Sequence, residues 1–502
     1  MKKKLLRYFS MILGLCFLSL VVVGCSPYKE ATRASKGLSC YNITASLNDE
    51  DKTICATEIV EFKNQTNVIL ETVCFNMYGR AFREDATIKP YTSLNEGKCF
   101  PSGVNYGDVS ISSVKENGEA APYNIVGVDD NALEVELSKK LEPGDTTTIE
   151  INFTLKMAQS THRLGYYDNS INLGNWFLIL AEYEGGEYNL TPYYSTGDPF
   201  YSSIANYEVK FTYPNSYNLS SSGTLEKRVE NSDGTRTDLL SAISVRDFAL
   251  ALTGEAKTTN KKVDDITISY VGYSTDDNVD YALDVAVKAV KFFSDTFGKY
   301  PYAKLDVVKA PFVHGGMEYP SMVIISDSIT DNFDIAKVIV HEIAHQWWYG
   351  VVGNNEIDEA WLDESLAEYS SILFFEKYSE FGVSYEELVS EAFAGYTLYA
   401  DIISTVNGKM NTSMLLSVNE YVSEYEYSYM IYIRGVLMLD NLRQVIGKEK
   451  LIKGFKYYYN KYKFKIATTD DFIVSMRKYA GKDIEGLLDS WLSGKTIVGA
   501  VN

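Results

Sequence analysis

Two of the four histidines in this 502-residue chain lie in one short segment, 341–345, which reads His-Glu-Ile-Ala-His, and Glu364 follows after eighteen intervening residues. On an α-helix, residues four apart share one face, so both imidazoles can reach the same metal ion. Two imidazole nitrogens and one carboxylate oxygen are a ligand set of catalytic zinc sites, which keep a fourth position open. The spacing therefore predicts one zinc ion held by His341, His345 and Glu364.

Glu342 lies one position after the first predicted ligand and can address a water bound to the zinc ion. The ion lowers the pKa of such a water to about 7, and a carboxylate within reach can take its proton and pass it to the leaving amine. We therefore expect Glu342 to be the general base for attack of a zinc-bound water on a peptide bond. Glu368, one helical turn after Glu364, is a candidate acceptor for a ligand His N–H, with a solvated helix face as the alternative.

The hydrophobic periodicity predicts the elements that must carry these residues. A helix over about 335–349, ended by Gly350 at a favoured C-cap position, carries the two histidines. A second helix over about 359–378 carries Glu364, and the intervening loop allows the two helices to lie side by side. Further patterns predict a helix over 281–297, strands near 305–309 and 322–326, and more helices over 385–502.

Residues 40 to about 255 show the alternation of apolar and polar side chains that is typical of β-strands. The segments 53–62, 147–153 and 207–213 are examples, and polar turn clusters separate such segments. We predict a β-sandwich or saddle domain over 40–262 and a catalytic domain over 263–502.

The N-terminus has the pattern of an export signal. Four basic residues occur in the first seven positions, and an apolar run from 11 to 23 follows. The segment 22–25 resembles a bacterial lipobox, so we predict a signal peptide over 1–24, a lipid anchor on Cys25 and a tether over 25–39. Acyl chains there would hold the chain at the cell membrane, facing outside the cytoplasm. An uncleaved membrane anchor is the alternative.

The formal net charge is −20, and residues 1–24 contain four basic and no acidic side chains, which leaves −24 on the remainder. This balance argues against nucleic-acid binding, which needs a basic surface. Four cysteines remain outside the signal and the predicted lipid site, Cys40, Cys55, Cys74 and Cys99. In an exported protein they allow two disulfides of undetermined connectivity, or free thiols.

Three further motifs accompany the zinc motif: Gly-Gly-Met-Glu-Tyr-Pro at 315–320, Tyr-Ile-Arg-Gly at 432–435 and Trp-Leu-Ser-Gly at 491–494. With them, the segment 263–495 resembles the catalytic domain of the aminopeptidase N family of gluzincin metallopeptidases. The resemblance implies a thermolysin-like α+β, mostly helical catalytic domain after an antiparallel all-β N-terminal domain. The upstream region resembles that family more weakly, through Gly-Asp-Pro-Phe at 197–200.

The resemblance also implies roles for single residues. Glu318 is expected to bind the free α-ammonium of a substrate, because a carboxylate there makes a charge-assisted bond that a blocked peptide cannot make. Gly315 and Gly316 would let the substrate backbone approach an edge strand that continues through Met317. Tyr432 would stabilise the tetrahedral oxyanion.

Other residues are open to more than one interpretation. Tyr427 and Tyr429 are rivals of Tyr432, and His314 lies next to the glycine motif with either a cleft or a simple loop role. We expect a structural role for His162, and Glu182 or Glu184 of the N-terminal region is a candidate for assisting amine binding.

These observations predict a zinc-dependent aminopeptidase that removes N-terminal residues from peptides outside the cytoplasmic membrane. The alternatives are a thermolysin-like endopeptidase and a non-catalytic peptide-binding surface lipoprotein. Two departures from the family pattern are Asp363, where the family usually has Asn, and Tyr319, where it usually has Asn. A long C-terminal helical domain, common in the family, is not seen before residue 502, which predicts a more open cleft.

Overall fold

The computed structural model of the protein describes residues 28–273, 275–408, 410–481 and 483–498. The predicted signal peptide over 1–24 and the predicted lipid site at Cys25 lie outside these ranges. Within them, no helix has both the length and the apolar character that crossing a membrane requires.

The described N-terminal region is built from strands whose side chains alternate between buried and exposed, as the sequence predicts. The strands are β1 (Cys40–Asn48), β2 (Thr53–Lys63), β3 (Leu70–Asn76), β4 (Asp108–Glu116), β5 (Glu119–Ala120), β6 (Tyr123–Val126), β7 (Ala132–Leu141), β8 (Thr146–Lys156), β9 (Leu164–Tyr167), β10 (Ser170–Leu173), β11 (Ile179–Leu180), β12 (Tyr183–Glu184), β13 (Glu187–Tyr188), β14 (Ala205–Pro214), β15 (Tyr217–Ser221), β16 (Thr224–Glu230), β17 (Thr235–Val245) and β18 (Leu250–Gly254). An eight-stranded sheet has the order β16-β17-β14-β1-β2-β8-β4-β5, and two four-stranded sheets have the orders β15-β18-β10-β9 and β11-β3-β7-β6.

In the described N-terminal region, one strand pair departs from the antiparallel pattern. β1 and β14 pair in parallel, with Ile43 opposite Val209. The two strands are far apart in sequence, so no hairpin forces them to run in opposite directions. The predicted fold class is otherwise confirmed, with a sheet-rich region followed by a mostly helical one.

The C-terminal region begins with a mixed five-stranded sheet of order β19-β20-β21-β23-β22. Its first strand starts at Ala256, so this sheet crosses the boundary predicted at 263. The remaining strands are β19 (Ala256–Val263), β20 (Ile266–Tyr273), β21 (Lys304–Ala310), β22 (Gly316–Met317), β23 (Met322–Ser326), β24 (Val352–Gly353) and β25 (Lys465–Ile466).

The remaining regular structure of the described chain is helical. They are α1 (Tyr28–Ala34), α2 (Glu96–Cys99), α3 (Val279–Thr296), α4 (Asn332–Ala344), α5 (Trp361–Lys377), α6 (Tyr385–Asn407), α7 (Glu424–Ser428), α8 (Arg434–Ile446), α9 (Lys448–Tyr462), α10 (Thr469–Ala480) and α11 (Glu485–Leu492). A π-helical segment, Tyr429–Ile433, joins α7 to α8. α4 begins at an Asp331 cap that accepts hydrogen bonds from the Phe333 and Asp334 N–H groups.

An aromatic core fixes the end of α4. Trp347 and Trp348, which follow the histidine segment after Gln346, are fully buried. The Trp347 ring lies 5.5 Å from that of Phe293, and the Trp348 ring lies 5.0 Å from that of Phe297, centroid to centroid. Burial of such large apolar surfaces is the main stabilising contribution to a fold, so α3 holds the C-terminal end of α4 in place.

The four cysteines of the described N-terminal region form no disulfide. Cys40, Cys55, Cys74 and Cys99 are all free thiols, of which Cys74 and Cys99 are buried and Cys55 is exposed. The free-thiol alternative therefore describes this structure, and the disulfide alternative does not.

Candidate active site

Three ligand atoms converge where α4 lies against α5. The His341 and His345 Nε2 atoms are 3.1 Å apart, and each is 3.2 Å from Glu364 Oε2. All three residues can place a ligand atom within 4.8 Å of the other two. Two imidazole Nε2 atoms and a carboxylate oxygen that lie this close together can bind one shared cation. The donor set is that of a catalytic zinc site, so zinc, the cofactor that this type of site implies, fits these residues.

The other nitrogen of each imidazole has its own acceptor. His341 Nδ1 lies 2.9 Å from Glu368 Oε2, and His345 Nδ1 lies 3.0 Å from the Trp348 carbonyl oxygen. An acceptor at Nδ1 keeps the proton on that nitrogen and leaves the Nε2 lone pair free for a metal. Glu368 therefore has the contact predicted for an acceptor of a ligand N–H.

The ionisable groups of the site strongly perturb one another. Although burial lowers it, Glu318 and Glu364 raise the pKa of His345 to about 10. Burial acts in the opposite direction on Glu364, but His345 and His341 hold the pKa of that carboxyl well below its usual range. Burial raises the pKa of Glu342 to about 7. A carboxyl whose pKa lies near neutrality is suited to accept and return a proton.

The glycine motif makes room for Glu342. A Cβ atom at Gly316 would collide with the Glu342 carboxylate, whereas one at Gly315 would meet nothing closer than 3.8 Å. Gly316 therefore leaves space for the predicted base, and Gly315 opens the strand edge to a ligand. β22 is the edge strand of its sheet, in agreement with the prediction of an open strand at this position.

Glu318 follows the edge strand and is 4% exposed. Its Oε1 atom has no hydrogen-bond partner among the described residues. The Gln346 side chain of the turn after α4 donates to the Glu318 carbonyl oxygen at 3.1 Å, which fastens this segment to the histidine helix. A buried carboxylate oxygen without a partner is costly, so Glu318 is suited to receive a cationic group of a ligand.

Tyr319 does not face the cleft. Its side chain is fully buried, and a Cβ atom at Gly174 of the N-terminal region would overlap the Tyr319 hydroxyl. The residue that stands where the family has Asn therefore packs the glycine motif against the N-terminal region. Asp363, the other departure, accepts a hydrogen bond from Asn354 at 3.1 Å, and burial raises its pKa to about 7.

Tyr432 lies beside the predicted metal ligands. Its hydroxyl donates to Glu364 Oε1, and its ring stacks on that of His341 with centroids 5.7 Å apart. Of its two rivals, Tyr427 also lines the cleft, whereas Tyr429 stacks on Tyr399 and is not among the lining residues described. A π-helical turn is a common device at functional sites, and here it carries Tyr432.

Arg434, two residues after Tyr432, has a structural role. It is fully buried, and its guanidinium donates to the Tyr396 hydroxyl and to the carbonyl oxygens of Trp491 and Thr496. These bonds connect the π-helical segment to the end of the described chain, so two of the sequence motifs, 432–435 and 491–494, meet in space.

Comparison with known proteins agrees with this geometry. Residues 281–491 match the peptidase family M1 domain. This matched segment, 281–491, is called the M1 domain. Among similar proteins, the aminopeptidase N of Lactococcus lactis subsp. lactis is 28% identical over 231 residues, which are 43% of this chain and 26% of that protein. A probable aminopeptidase 2 of Sulfurisphaera tokodaii is 28% identical over 226 residues, 42% of this chain and 28% of that protein.

The chain thus spans about a quarter of the length of these curated relatives. A solved M1 zinc metallopeptidase from Deinococcus radiodurans shares the fold with a TM-score of 0.63 at 16% identity, over 92% of this chain and 94% of that one. A mutant of that enzyme bound to a Tyr-ser-ala substrate is similar with a TM-score of 0.62 at 15% identity, over 92% of this chain and 94% of that one. The predicted resemblance to the aminopeptidase N family is confirmed.

The N-terminal region contributes a wall of the cleft that faces the M1 domain, and sequence reasoning missed its main residues. The cleft has a volume of about 470 Å³, and Arg163, Gly197 and Asp198 line it from that side. Arg163 donates to the Asp198 carboxylate, to the Gly197 carbonyl oxygen at 3.2 Å and to Met317 Sδ at 3.1 Å. The segment 197–200 was the signal available for this wall.

The N-terminal carboxylates expected to assist amine binding lie elsewhere. Glu182 accepts a hydrogen bond from the Ser203 N–H, and Glu184 accepts one from the Tyr201 hydroxyl. Neither is among the lining residues of the cleft, where Asp198 stands instead. His314 lines the cleft, and the buried His162 ring packs against it with centroids 5.3 Å apart.

Proposed function

We propose that this chain is a zinc-dependent aminopeptidase that removes N-terminal residues from peptides. The observation that carries the proposal is the buried Glu318 carboxylate, with an unpartnered oxygen, within 4.8 Å of the predicted metal ligand His345. A carboxylate at this distance from the ligands can hold a substrate ammonium so that the first peptide bond lies at the metal site. A peptide without a free amine cannot make that bond.

His341, His345 and Glu364 would hold the zinc ion. Zinc, when bound, lowers the pKa of water and polarises a carbonyl oxygen as a Lewis acid. Glu342 then takes the proton from the attacking water and returns it to the leaving amine, and its raised pKa of about 7 suits both steps.

Tyr432 would act on the oxygen of the scissile carbonyl. Its hydroxyl already points at the ligand cluster, where it donates to Glu364. Burial and the nearby Glu364 raise the pKa of Tyr432 well above its usual value, so the hydroxyl keeps its proton. A protonated hydroxyl in this position can donate to the negative charge that develops on the carbonyl oxygen.

We further propose that the enzyme acts outside the cytoplasmic membrane, held by a lipid on Cys25. The support is the sequence pattern at 1–25. Metabolic labelling with a fatty acid tests this proposal. Label on the wild-type protein but not on Cys25→Ser is the expected result, and equal labelling would contradict it.

The test of the proposed activity uses the purified, zinc-loaded protein, one peptide with a free N-terminus and its N-acetylated twin, with products read by mass spectrometry. We expect stepwise loss of N-terminal residues from the free peptide alone. Glu318→Gln should lower kcat/KM on that peptide by about 10- to 100-fold, because a hydrogen bond to a charged group is lost. Glu424→Gln, which alters another cleft carboxylate, is the matched control and should have a much smaller effect.

Other outcomes identify the alternatives. Internal cuts in both peptides would indicate an endopeptidase. No cut in either peptide, with zinc bound, would indicate a peptide-binding lipoprotein.

A further inference from the structure

The cleft has a direction along α4. Glu318 lies beside His345, near the C-terminal end of the helix, while Gly315 lies near Val338, one turn before the first ligand. A peptide whose ammonium is held by Glu318 places its first peptide bond at the metal ligands. Its remaining residues must then pass Gly315 and Val338, towards the N-terminal end of α4.

The charge of the cleft changes along this direction. Six carboxylates line it: Asp198, Glu318, Glu342, Glu364, Glu368 and Glu424. Arg163 and Lys337 are the lysine and arginine side chains among the described lining residues. Arg163 is buried and paired with Asp198, so it is not available to a ligand. Lys337 stands at the far end of the path, and its side chain is 48% exposed.

Lys337 can exchange its present contacts for a ligand. Its ammonium lies 3.0 Å from Asp334 on the same helix and 5.2 Å from the centre of the Phe333 ring. An exposed ion pair of this kind contributes little free energy, so a second carboxylate can compete with it. The residue is therefore an accessible cation in an otherwise acidic cleft.

The distances suit a short peptide. Lys337 precedes His341 by four residues, which is about 6 Å along the helix. In an extended peptide each residue spans about 3.3–3.6 Å. The α-carboxylate of a tripeptide, about two residues beyond the first peptide bond, therefore comes within reach of the Lys337 ammonium.

We propose that Lys337 binds the C-terminal carboxylate of short peptides, and that tripeptides and tetrapeptides are the preferred substrates of this site. The inference rests on the proposed aminopeptidase function, because that function fixes the position of the substrate ammonium. Longer peptides carry their carboxylate beyond Lys337 and do not benefit from it.

The experiment compares one tripeptide without acidic side chains as its free acid and as its C-terminal amide. Wild-type protein should hydrolyse the acid with the lower KM. Lys337→Met, which keeps the aliphatic stem over Phe333, should lower kcat/KM on the acid by about threefold to fivefold and leave the amide unchanged. Raising the salt concentration should shrink the preference of the wild type for the acid. Lys288→Met, which removes an ion-paired lysine on α3, is the control. It should leave kcat/KM unchanged on both the acid and the amide.

A binding measurement separates this proposal from the proposed function. Calorimetry with the zinc-loaded Glu342→Gln protein reads the preference for the acid without turnover. Equal binding of acid and amide, or equal losses on both in Lys337→Met, would overturn the role of Lys337 and leave the aminopeptidase proposal intact. If the wild type cleaves neither peptide, the proposed function fails, and calorimetry still decides whether Lys337 binds the carboxylate.

Discussion

The two walls of the cleft are assembled in different ways. In the M1 domain, the three predicted metal ligands come from two helices that are close in sequence, and their spacing predicts that His341, His345 and Glu364 come together. In the N-terminal region, Arg163 precedes β9 and Asp198 lies in the connection between β13 and β14. Only the sheet topology brings those two side chains to the cleft.

The two walls also differ in how their charges are satisfied. Arg163 and Asp198 neutralise each other, and the Arg163 guanidinium has further acceptors in Gly197 and Tyr193. The M1 side keeps several buried carboxylates with few cations, and Glu318 keeps an oxygen without a partner among the described residues. The charges of the first wall therefore satisfy each other, whereas the second wall has buried carboxylates that a metal ion and the proposed substrate ammonium would neutralise. The proposed reaction depends on the M1 side, which we call the incomplete wall. The shape of the cleft depends on the N-terminal side, which we call the complete wall.

The largest expected effect lies on the incomplete wall. Glu342→Gln removes the proposed base but no metal ligand, so kcat should fall by about 10²–10⁴-fold while zinc remains bound. The side chains have similar size, so Gly316 still leaves enough space. Steady-state kinetics and zinc content by atomic emission are the two measurements.

Two other outcomes of these measurements would contradict this prediction. Loss of zinc together with activity would show that Glu342 supports the metal rather than the proton transfer. Activity near that of the wild type would refute its role as base.

The difference between the walls also explains what the sequence could reveal. A helix has a fixed period, so the spacing within 341–345 is enough to specify a shared face. The predicted helix over 335–349 is found as α4, Asn332–Ala344, followed by a tight turn in which the Gln346 N–H bonds to the Ile343 carbonyl oxygen. The error lies at the helix end, where Trp347 and Trp348 pack into the core and override the local pattern.

Asp198 and Arg163 have no comparable period. Strand alternation predicts a β region, but which loops meet the catalytic domain depends on pairings across long distances, such as β1 with β14. The family resemblance therefore suggests an acidic residue of this region, Glu182 or Glu184, and the structure places these two against Ser203 and Tyr201. Likewise, the sequence predicts that glycine at 316 admits a substrate, whereas its contact with Glu342 follows only from the fold.

The second prediction breaks the complete wall. Arg163→Met leaves Asp198 as a buried charge without its partner, and loss of one partner of such a pair costs about 3–5 kcal/mol of the free energy of unfolding. We expect urea denaturation to show this loss in the free energy of unfolding. Hydrogen exchange should be faster in β9 and β10, the strands that follow Arg163. kcat/KM should also fall, because Arg163 contacts Met317 next to the amine site.

A double mutant tests whether the pair or the arginine alone matters. Arg163→Met combined with Asp198→Asn removes both charges and should recover a large part of the stability that the single mutant loses. A double mutant no more stable than Arg163→Met would show that the other contacts of the arginine hold this wall together.

The smallest effect concerns how firmly the incomplete wall holds its metal. Glu368 accepts from the Nδ1–H of His341 and orients its Nε2 towards the metal site. Acceptors in this position typically change metal affinity by about 10–100-fold, so Glu368→Gln should lose zinc to a chelator at correspondingly lower chelator concentration, with kcat at saturating zinc little changed. Glu376→Gln is the matched control, because Glu376 lies on the same helix but pairs with Arg443 and Lys448. Equal zinc affinity in the two variants would assign Glu368 to the solvated face of α5, and the orientation of His341 would then not depend on Glu368.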